Sequence, residues 1–291
     1  MDVSIIIVTW NSSSLIGECL DSIYSHKGKL KFEILVVDNN SQDATRDIIR
    51  EFYPQVLFIE NKENLGYARA NNQGIECSVG KYVLLLNPDV SLLDNALLDL
   101  FLYMEKHPEA GAIGPQLLNP DGTIQPSCRE FPGFLTLIYD VLGLSFLFPK
   151  SKFFASWRMG YFDHDSSREV DQPMGSALML RRRALKQIGL MDEEFFMFFN
   201  DVDLCYRLKK ANWKIYFYPE ARAYHLLGAS TKRVKSRMIY LSHRGYYKFL
   251  KKHRTKKMDQ ILLIPFLVLL YIGVVIRIIA LKIKNLFKSS E

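Results

Sequence analysis

The sequence is short of cysteine, and the four it has, Cys19, Cys77, Cys128 and Cys205, are scattered without a CxxC pair. That spacing fits neither a zinc site nor a disulfide framework and reads as reduced thiols in a cytosolic compartment. No GxGxxG opens the helix after the first strand-like run, and GxxxxGK[ST] is missing throughout. A dinucleotide oxidoreductase and a P-loop NTPase are therefore disfavoured. No basic segment, apolar core and small-residue cleavage site open the chain, so a secretory leader is not expected and the catalytic part should face the cytoplasm. Acid is missing between Lys232 and Lys257, where eleven Lys or Arg stand. The formal charge of +7 is therefore concentrated late in the chain, leaving residues 1–231 net negative. With the apolar tail that follows, this asymmetry points to an anionic lipid surface rather than nucleic acid.

What is present is a large core and a repeated pattern. At 291 residues and 48% hydrophobic composition, one large α/β domain or two smaller ones can be buried. Val3 to Val8 reads as a strand, closed by Thr9, Trp10 and Asn11, with Ser12 to Ser14 placed to cap a helix. Phe32 to Val37 and Val56 to Ile59 repeat the strand, each followed by a polar turn and a helix pattern. Tyr82 to Leu86 is a fourth strand buried on both faces, and Asn87, Pro88 and Asp89 end it. Strands alternating with helices at this spacing predict a mostly parallel, Rossmann-like sheet with right-handed crossovers, flanked by helices. The turns Thr9 to Asn11, Asp38 to Ser41, Asn64 to Arg69 and Asn87 to Asp89 then share one crevice beyond the strand ends, where ligands bind in such sheets. Asp89 is a metal or substrate candidate on that ground. Asp38 has two readings, acceptor for a base or ribose and Asx turn with Ser41. Arg69 either neutralises phosphate or is a solvated helix residue.

These motifs, Val8 to Asn11, Val37 to Asp43, Asn64 to Gly66 with Asn71, and Leu86 to Asp89, resemble family 2 glycosyltransferases of GT-A fold, most closely the bacterial rhamnosyltransferase-like subgroup. The resemblance spans roughly residues 2–230. It implies a nucleotide-diphospho-sugar donor held by Thr9, Trp10, Asn11, Asp38, Asn40, Asn64, Gly66, Arg69, Asn71 and Asn87. It also implies Mg2+ or Mn2+ on Asp89. Where family members carry Asp-x-Asp this chain has Asn87-Pro88-Asp89, one carboxylate fewer. Later, Phe195 to Phe199 runs into Asn200, Asp201, Val202 and Asp203. A carboxylate among aromatics has its pKa raised toward the range useful in a general base; helix capping by Asn200 or Asp201 is the other reading. The family opens this motif with Glu-Asp, so Asn200 stands for the Glu and Asp201 matches the base. Asp203 points to another side of the helix and is expected to be structural. Gly175 and Ser176 either admit a sugar or allow tight backbone packing. His225 is either a metal ligand, as the resemblance implies, or a structural histidine.

The expected organisation is a catalytic domain over 1–231, with a nucleotide-sugar half to about 120 and an acceptor half beyond. A basic helical segment, 232–257, and a membrane-associating tail, 258–291, follow. Phe134 to Phe148, interrupted by Asp140, is expected as a packed helix rather than a lipid surface. Ile261 to Ile276 gives about 24 Å of helix, reaching about 31 Å at Leu281, so the tail either spans a bilayer or lies within its interface. The expected activity is inverting, metal-dependent transfer of a sugar, rhamnose by subgroup, to a hydroxyl of a lipid-linked or growing cell-surface polysaccharide. The expected location is the cytoplasmic face of the membrane. A sugar nucleotidyltransferase or an impaired scaffold of the same fold are the competing readings, the latter drawn from Asn87 and Asn200.

Overall fold

The computed structural model describes residues 1–25, 30–226 and 235–288. Residues 227–234, where the catalytic body was expected to give way to the basic segment, and residues 289–291 of the tail lie outside those described. The expected alternation opens the chain as β1 (Val3–Thr9), α1 (Ile16–Tyr24), β2 (Phe32–Asp38), α2 (Thr45–Phe52), β3 (Leu57–Glu60), α3 (Tyr67–Cys77) and β4 (Tyr82–Leu86). These strands pair in parallel in the order β3-β2-β1-β4. Their near-continuous apolar sequences are explained by cover on both faces. Ile5, Ile7, Leu84 and Leu86 pack with Leu20 of α1, while Ile6, Leu35, Val83 and Leu85 pack with Ala68 and Ile75 of α3. This is the period-two alternation of a pleated strand, and each fully buried aliphatic side chain contributes about 1.5–3 kcal/mol.

The second half follows as β5 (Val90–Leu92), α4 (Ala96–Lys106), β6 (Ala110–Leu118), β7 (Ile124–Gln125), β8 (Cys128–Arg129), α5 (Phe134–Val141) and α6 (Leu144–Leu147). Then come β9 (Arg168–Glu169), β10 (Gln172–Pro173), β11 (Ala177–Arg181), α7 (Arg182–Ile188), α8 (Asn200–Lys210) and β12 (Lys214–His225). The sheet continues β4-β11-β6-β12-β5, with β11 antiparallel to both neighbours and β12 parallel to β6. The mostly parallel sheet flanked by helices is therefore present, with β11 and β5 reversed. Residues 90–92 pair with β12, and α4 begins beyond them at Ala96. β12 runs through an irregularity between Tyr218 and Arg222 to His225, which carries His225 to the C-terminal edge. Ser12 to Ser14 supply no side-chain cap to α1; the carbonyl of Ser12 instead accepts from the amides of Leu15 and Ile16.

Two further helices, α9 (Lys235–His253) and α10 (Lys257–Lys288), close the described chain. Tyr246, Phe249 and Leu250 of α9 and Leu263, Phe266 and Leu270 of α10 form one apolar cluster with Phe195, Phe199 and Leu137. The aromatic run before Asp201 is thus gripped by the tail helices. The packed helix expected over Phe134 to Phe148 is two short helices broken at Gly143. Only one side of this stretch has cover: Leu137 is buried against α10, whereas Leu135, Leu142, Phe146, Leu147 and Phe148 are exposed.

Candidate active site

The turns after the parallel strands meet, as their topology requires. The amide of Asn39 donates to the carbonyl of Thr9 and that of Asn61 to the carbonyl of Asp38, so the turns after β1, β2 and β3 are stitched edge to edge. Asp38 sits at the centre, fully buried. It accepts from Thr9 Oγ1 at 3.0 Å, from the Ser41 amide at 2.9 Å, from Ser41 Oγ, and from Arg46 Nε at 3.0 Å. Both oxygens are satisfied within the protein, so the Asx-turn reading describes this arrangement, reinforced by a guanidinium. Asn40, left-handed at φ 62°, accepts from Arg46 Nη2 at 2.7 Å. Asn11, at φ 51°, receives the Gln42 amide and gives its own to Ser41 Oγ. Trp10 beside it is 39% exposed, a flat apolar face open to solvent at the crevice rim.

The third turn is built on Gly66. Its φ of 86° favours glycine, and a Cβ there would meet the Phe196 ring and carbonyl at 2.7 Å. Asn64 Oδ1 accepts the Gly66 amide at 3.0 Å, and Asn71 Nδ2 donates to the carbonyl of Tyr67, so both polar side chains brace the start of α3. Arg69 is solvated and lies 3.8 Å from Glu193. That geometry matches its solvated-residue reading.

At the fourth turn the polar groups are not mutually satisfied. Asn87 Oδ1 and Asp89 Oδ1 are buried with no hydrogen-bond partner among the described residues, and Ser176 Oγ and Asn200 Nδ2 are in the same condition. The amide of Asn87 donates to the carbonyl of Ser176, bringing the two segments together. His225 Nε2 stands 3.7 Å from Asp89 Oδ1. Burial pushes the imidazole down to about 4 and Asp89 up to about 6. His225 is therefore neutral at neutral pH and the contact is not an ion pair. Its tautomer follows from Gln125, whose amide nitrogen donates to Asn119 Oδ1 and to the His225 carbonyl. Gln125 Oε1, 2.6 Å from His225 Nδ1, must then accept the Nδ1 proton. The Nε2 lone pair faces an unpartnered carboxylate oxygen. An imidazole oriented from behind by an amide carbonyl, beside a free carboxylate, fits a divalent cation that completes its shell with phosphate and water oxygens.

Across the cleft, Asp201 enters from the first turn of α8. Its Oδ2 accepts from the Gly175 amide at 3.0 Å and Gln172 Nε2 at 2.9 Å, and its Oδ1 from the Val202 amide at 2.9 Å. No Lys or Arg forms an ion pair with it among the described residues, Arg129 acting only from a distance, and loss of water pushes its pKa up. The helix-capping alternative is met in part: Phe199 holds the cap position without a side-chain cap bond, while Asn200 Oδ1 and Asp201 Oδ1 accept the first-turn amides of Asp201 and Val202. Phe199 itself is left-handed at φ 70°, a strained conformation for an aromatic residue, and it packs on Tyr246 and Phe249 of α9. Gly175 is required by the approach of Asp201: a Cβ there would lie 2.8 Å from Asp201 Cβ. Asp203, two residues on, is structural as expected. It receives Arg207 Nε at 2.8 Å, Lys252 Nζ at 2.7 Å and His253 Nε2 at 2.7 Å. Burial acts to raise its pKa, but the His253, Lys252 and Arg207 bonds win and hold it at about 2.

Three residues missed in the sequence complete the site. Tyr67 spans the cleft floor, donating from its hydroxyl to the Gly175 carbonyl at 3.0 Å while its amide bonds the Phe196 carbonyl. Burial, then the negative charge of Asp201, push that phenol up. Its position directly after Asn64-Leu65-Gly66 was the available signal. Gln172 and Gln125 had none, since each meets its partner across 29 and 100 residues respectively.

A mostly parallel sheet with carboxylates gathered beyond the C-terminal ends of its strands is an arrangement able to hold a ligand together with a divalent cation. The chain belongs to the family described as Glycosyl transferase family 2, whose profile matches residues 4–189. It is 33% identical over 229 residues to the N-acetylglucosaminyl-diphospho-decaprenol L-rhamnosyltransferase of Mycobacterium tuberculosis, covering 75% of this chain and 74% of that protein. Among solved structures it resembles a mannosyltransferase from Pyrobaculum calidifontis in complex with GDP-Man and Mn2+. That match has a TM-score of 0.60 and 19% identity, over 87% of this chain and 64% of the other. It also resembles S. aureus TarS, with a TM-score of 0.53 and 18% identity over 83% and 65% of the two chains. The chain spans just under two thirds of the length of these two structures, and the likeness to them establishes the fold. The rhamnosyltransferase-like kinship read from the motifs is supported, and the chain is a family 2 glycosyltransferase.

Proposed function

We propose that this enzyme transfers rhamnose, with inversion, from deoxythymidine-diphospho-rhamnose to a hydroxyl of a lipid-linked sugar diphosphate or growing cell-surface polysaccharide at the cytoplasmic face of a membrane. The carrying observation is the condition of Asp201: half-buried, in no ion pair among the described residues, and locked by the Gly175 amide and Gln172. Such a carboxylate is shaped to receive a proton. The acceptor oxygen attacks the anomeric carbon, its hydroxyl proton passes to Asp201, and the bond from that carbon to the diphosphate oxygen breaks with its electron pair. One positioned base and no covalent nucleophile correspond to a single displacement. Asp89 and His225 would hold Mg2+ or Mn2+, which when bound offsets the charge growing on the leaving diphosphate. Asn87 Oδ1, Ser176 Oγ and Asn200 Nδ2, buried and unpartnered, are available to sugar or phosphate. The sugar and the acceptor class follow the mycobacterial relative, by name an N-acetylglucosaminyl-diphospho-decaprenol L-rhamnosyltransferase; the deoxythymidine diphosphate follows the subgroup resemblance of the motifs.

The test is transfer with purified enzyme in lipid vesicles containing an N-acetylglucosaminyl-diphospho-polyprenol, offered a panel of nucleotide sugars with and without divalent metal. Transfer from the rhamnose donor, lost on chelation, is expected. Transfer only from another sugar overturns the donor assignment; pyrophosphate release from a nucleoside triphosphate would indicate the nucleotidyltransferase reading instead.

A further inference from the structure

Among the described residues one helix is long and apolar enough to cross a membrane, α10 over Lys257–Val275, with mean hydropathy 2.2. Its neighbours argue against crossing. Leu263, Phe266 and Leu270 form a stripe against α5 and α9: the Phe266 ring lies 5.0 Å from that of Phe134 and 5.8 Å from that of Tyr246. A Cβ at Gly273 would meet His243 at 3.6 Å and Val141 at 3.7 Å. So α9 runs antiparallel beside α10 as far as residue 273, roughly 24 Å along from Lys257. Arg244, exposed on α9, follows His243 directly. If residues 257–275 crossed the hydrocarbon, α9 would be drawn in beside them, placing Lys248 near its middle and Arg244 beyond that, a costly position for charged side chains. The remainder of α10 cannot serve as the span either, because residues 276–288 include Arg277, Lys282, Lys284 and Lys288.

The uncovered side of α10 is the opposite stripe, Ile261, Ile264, Val268, Tyr271 and Val275, each at least 39% exposed. Alongside, α5 leads into Phe146, Leu147, Phe148 and Phe153, between 51% and 71% exposed, with Lys150 and Lys152 exposed among them. Solitary exposed apolar residues are ordinary, but an apolar stripe continuing into an aromatic loop studded with lysine has the chemistry of a surface seated in anionic headgroups. We propose that the protein is monotopic: α10 lies in the plane of an anionic bilayer, and residues 146–153 enter the same leaflet beside it. This mode of attachment stands apart from the sugar-transfer assignment.

The experiment uses the full chain carrying a C-terminal epitope in sealed inside-out membrane vesicles. Added protease should remove the epitope as readily as it cuts the catalytic domain; an epitope protected until detergent is added overturns the proposal. In parallel, F146D/F148D should bind vesicles of phosphatidylglycerol and phosphatidylcholine at least tenfold more weakly than the parent, with an unchanged melting temperature. Unchanged vesicle binding overturns the second contact. So does a loss of self-association without loss of vesicle binding, which would assign the loop to a second copy.

Discussion

Four aspartates line or adjoin the cleft, and they fall into two regions. Asp38 and Asp203 are each sealed and paired with a guanidinium or ammonium: Arg46 for the first, Arg207 and Lys252 for the second. Asp89 and Asp201 form no ion pair with Lys or Arg among the described residues, and burial pushes both upward. Asp201 and Asp203 are two residues apart on one helix, yet their pKa values are displaced in opposite directions. The difference teaches which carboxylates hold the fold and which are kept for ligands. A carboxylate paired internally has already spent its charge, whereas one left desolvated and unpaired costs stability that a proton or a bound cation can return.

The sharpest break of that comparison is Asp201→Asn. It should keep the fold and lower kcat by about 10²–10⁴-fold, the usual worth of a positioned base, measured by transfer with a parallel thermal melt. In the parent, transfer should fall on the acid side at a pH above the ordinary aspartate value near 3.9, because the base must be unprotonated. Asp38→Ala should do the reverse, costing about 2–3 kcal/mol in urea unfolding by stranding Arg46, which is 27% exposed and so partly relieved by water. Gln125→Ala should weaken divalent-metal affinity by about 10–100-fold through loss of the His225 tautomer, read by calorimetry with the sugar nucleotide present. The smallest effect is the acid profile at Asp203. Its folded pKa of about 2 lies below the unfolded value near 3.9, so its contribution is complete above pH 4 and lost as pH falls toward 2. Asp203→Asn should flatten the parent's stability loss across that window, by up to roughly 2 kcal/mol.

Much of this was legible in the chain, for physical reasons that vary by region. The parallel sheet and its polar edge follow from local patterning, because buried strands such as Tyr82 to Leu86 and the turns after them announce themselves within a few residues. Asp89 and Asp201 stood out as candidates for the same reason, each ending an apolar or aromatic run. Three features were not legible. The tie of Asp38 to Arg46 depends on the pose of a long side chain; the orientation of His225 depends on Gln125, 100 residues away; and the exposed loop at Phe146 looks in sequence like a core helix. Hydrophobicity states that a residue leaves water, not whether protein or lipid receives it. The grip of Tyr246 and Phe249 on the left-handed Phe199 was equally hidden, though it joins the tail helices to the start of the helix that carries Asp201.

The central claim is that Asp89 is kept for a ligand while its paired counterparts are not. It is tested most directly by the shift in melting temperature on adding Mn2+ with a nucleoside-diphosphate sugar, compared among the parent, Asp89→Ala and Asp203→Asn. The account predicts a clear rise for the parent and for Asp203→Asn, from its lower starting point, and none for Asp89→Ala. A full metal-dependent rise in Asp89→Ala would contradict it.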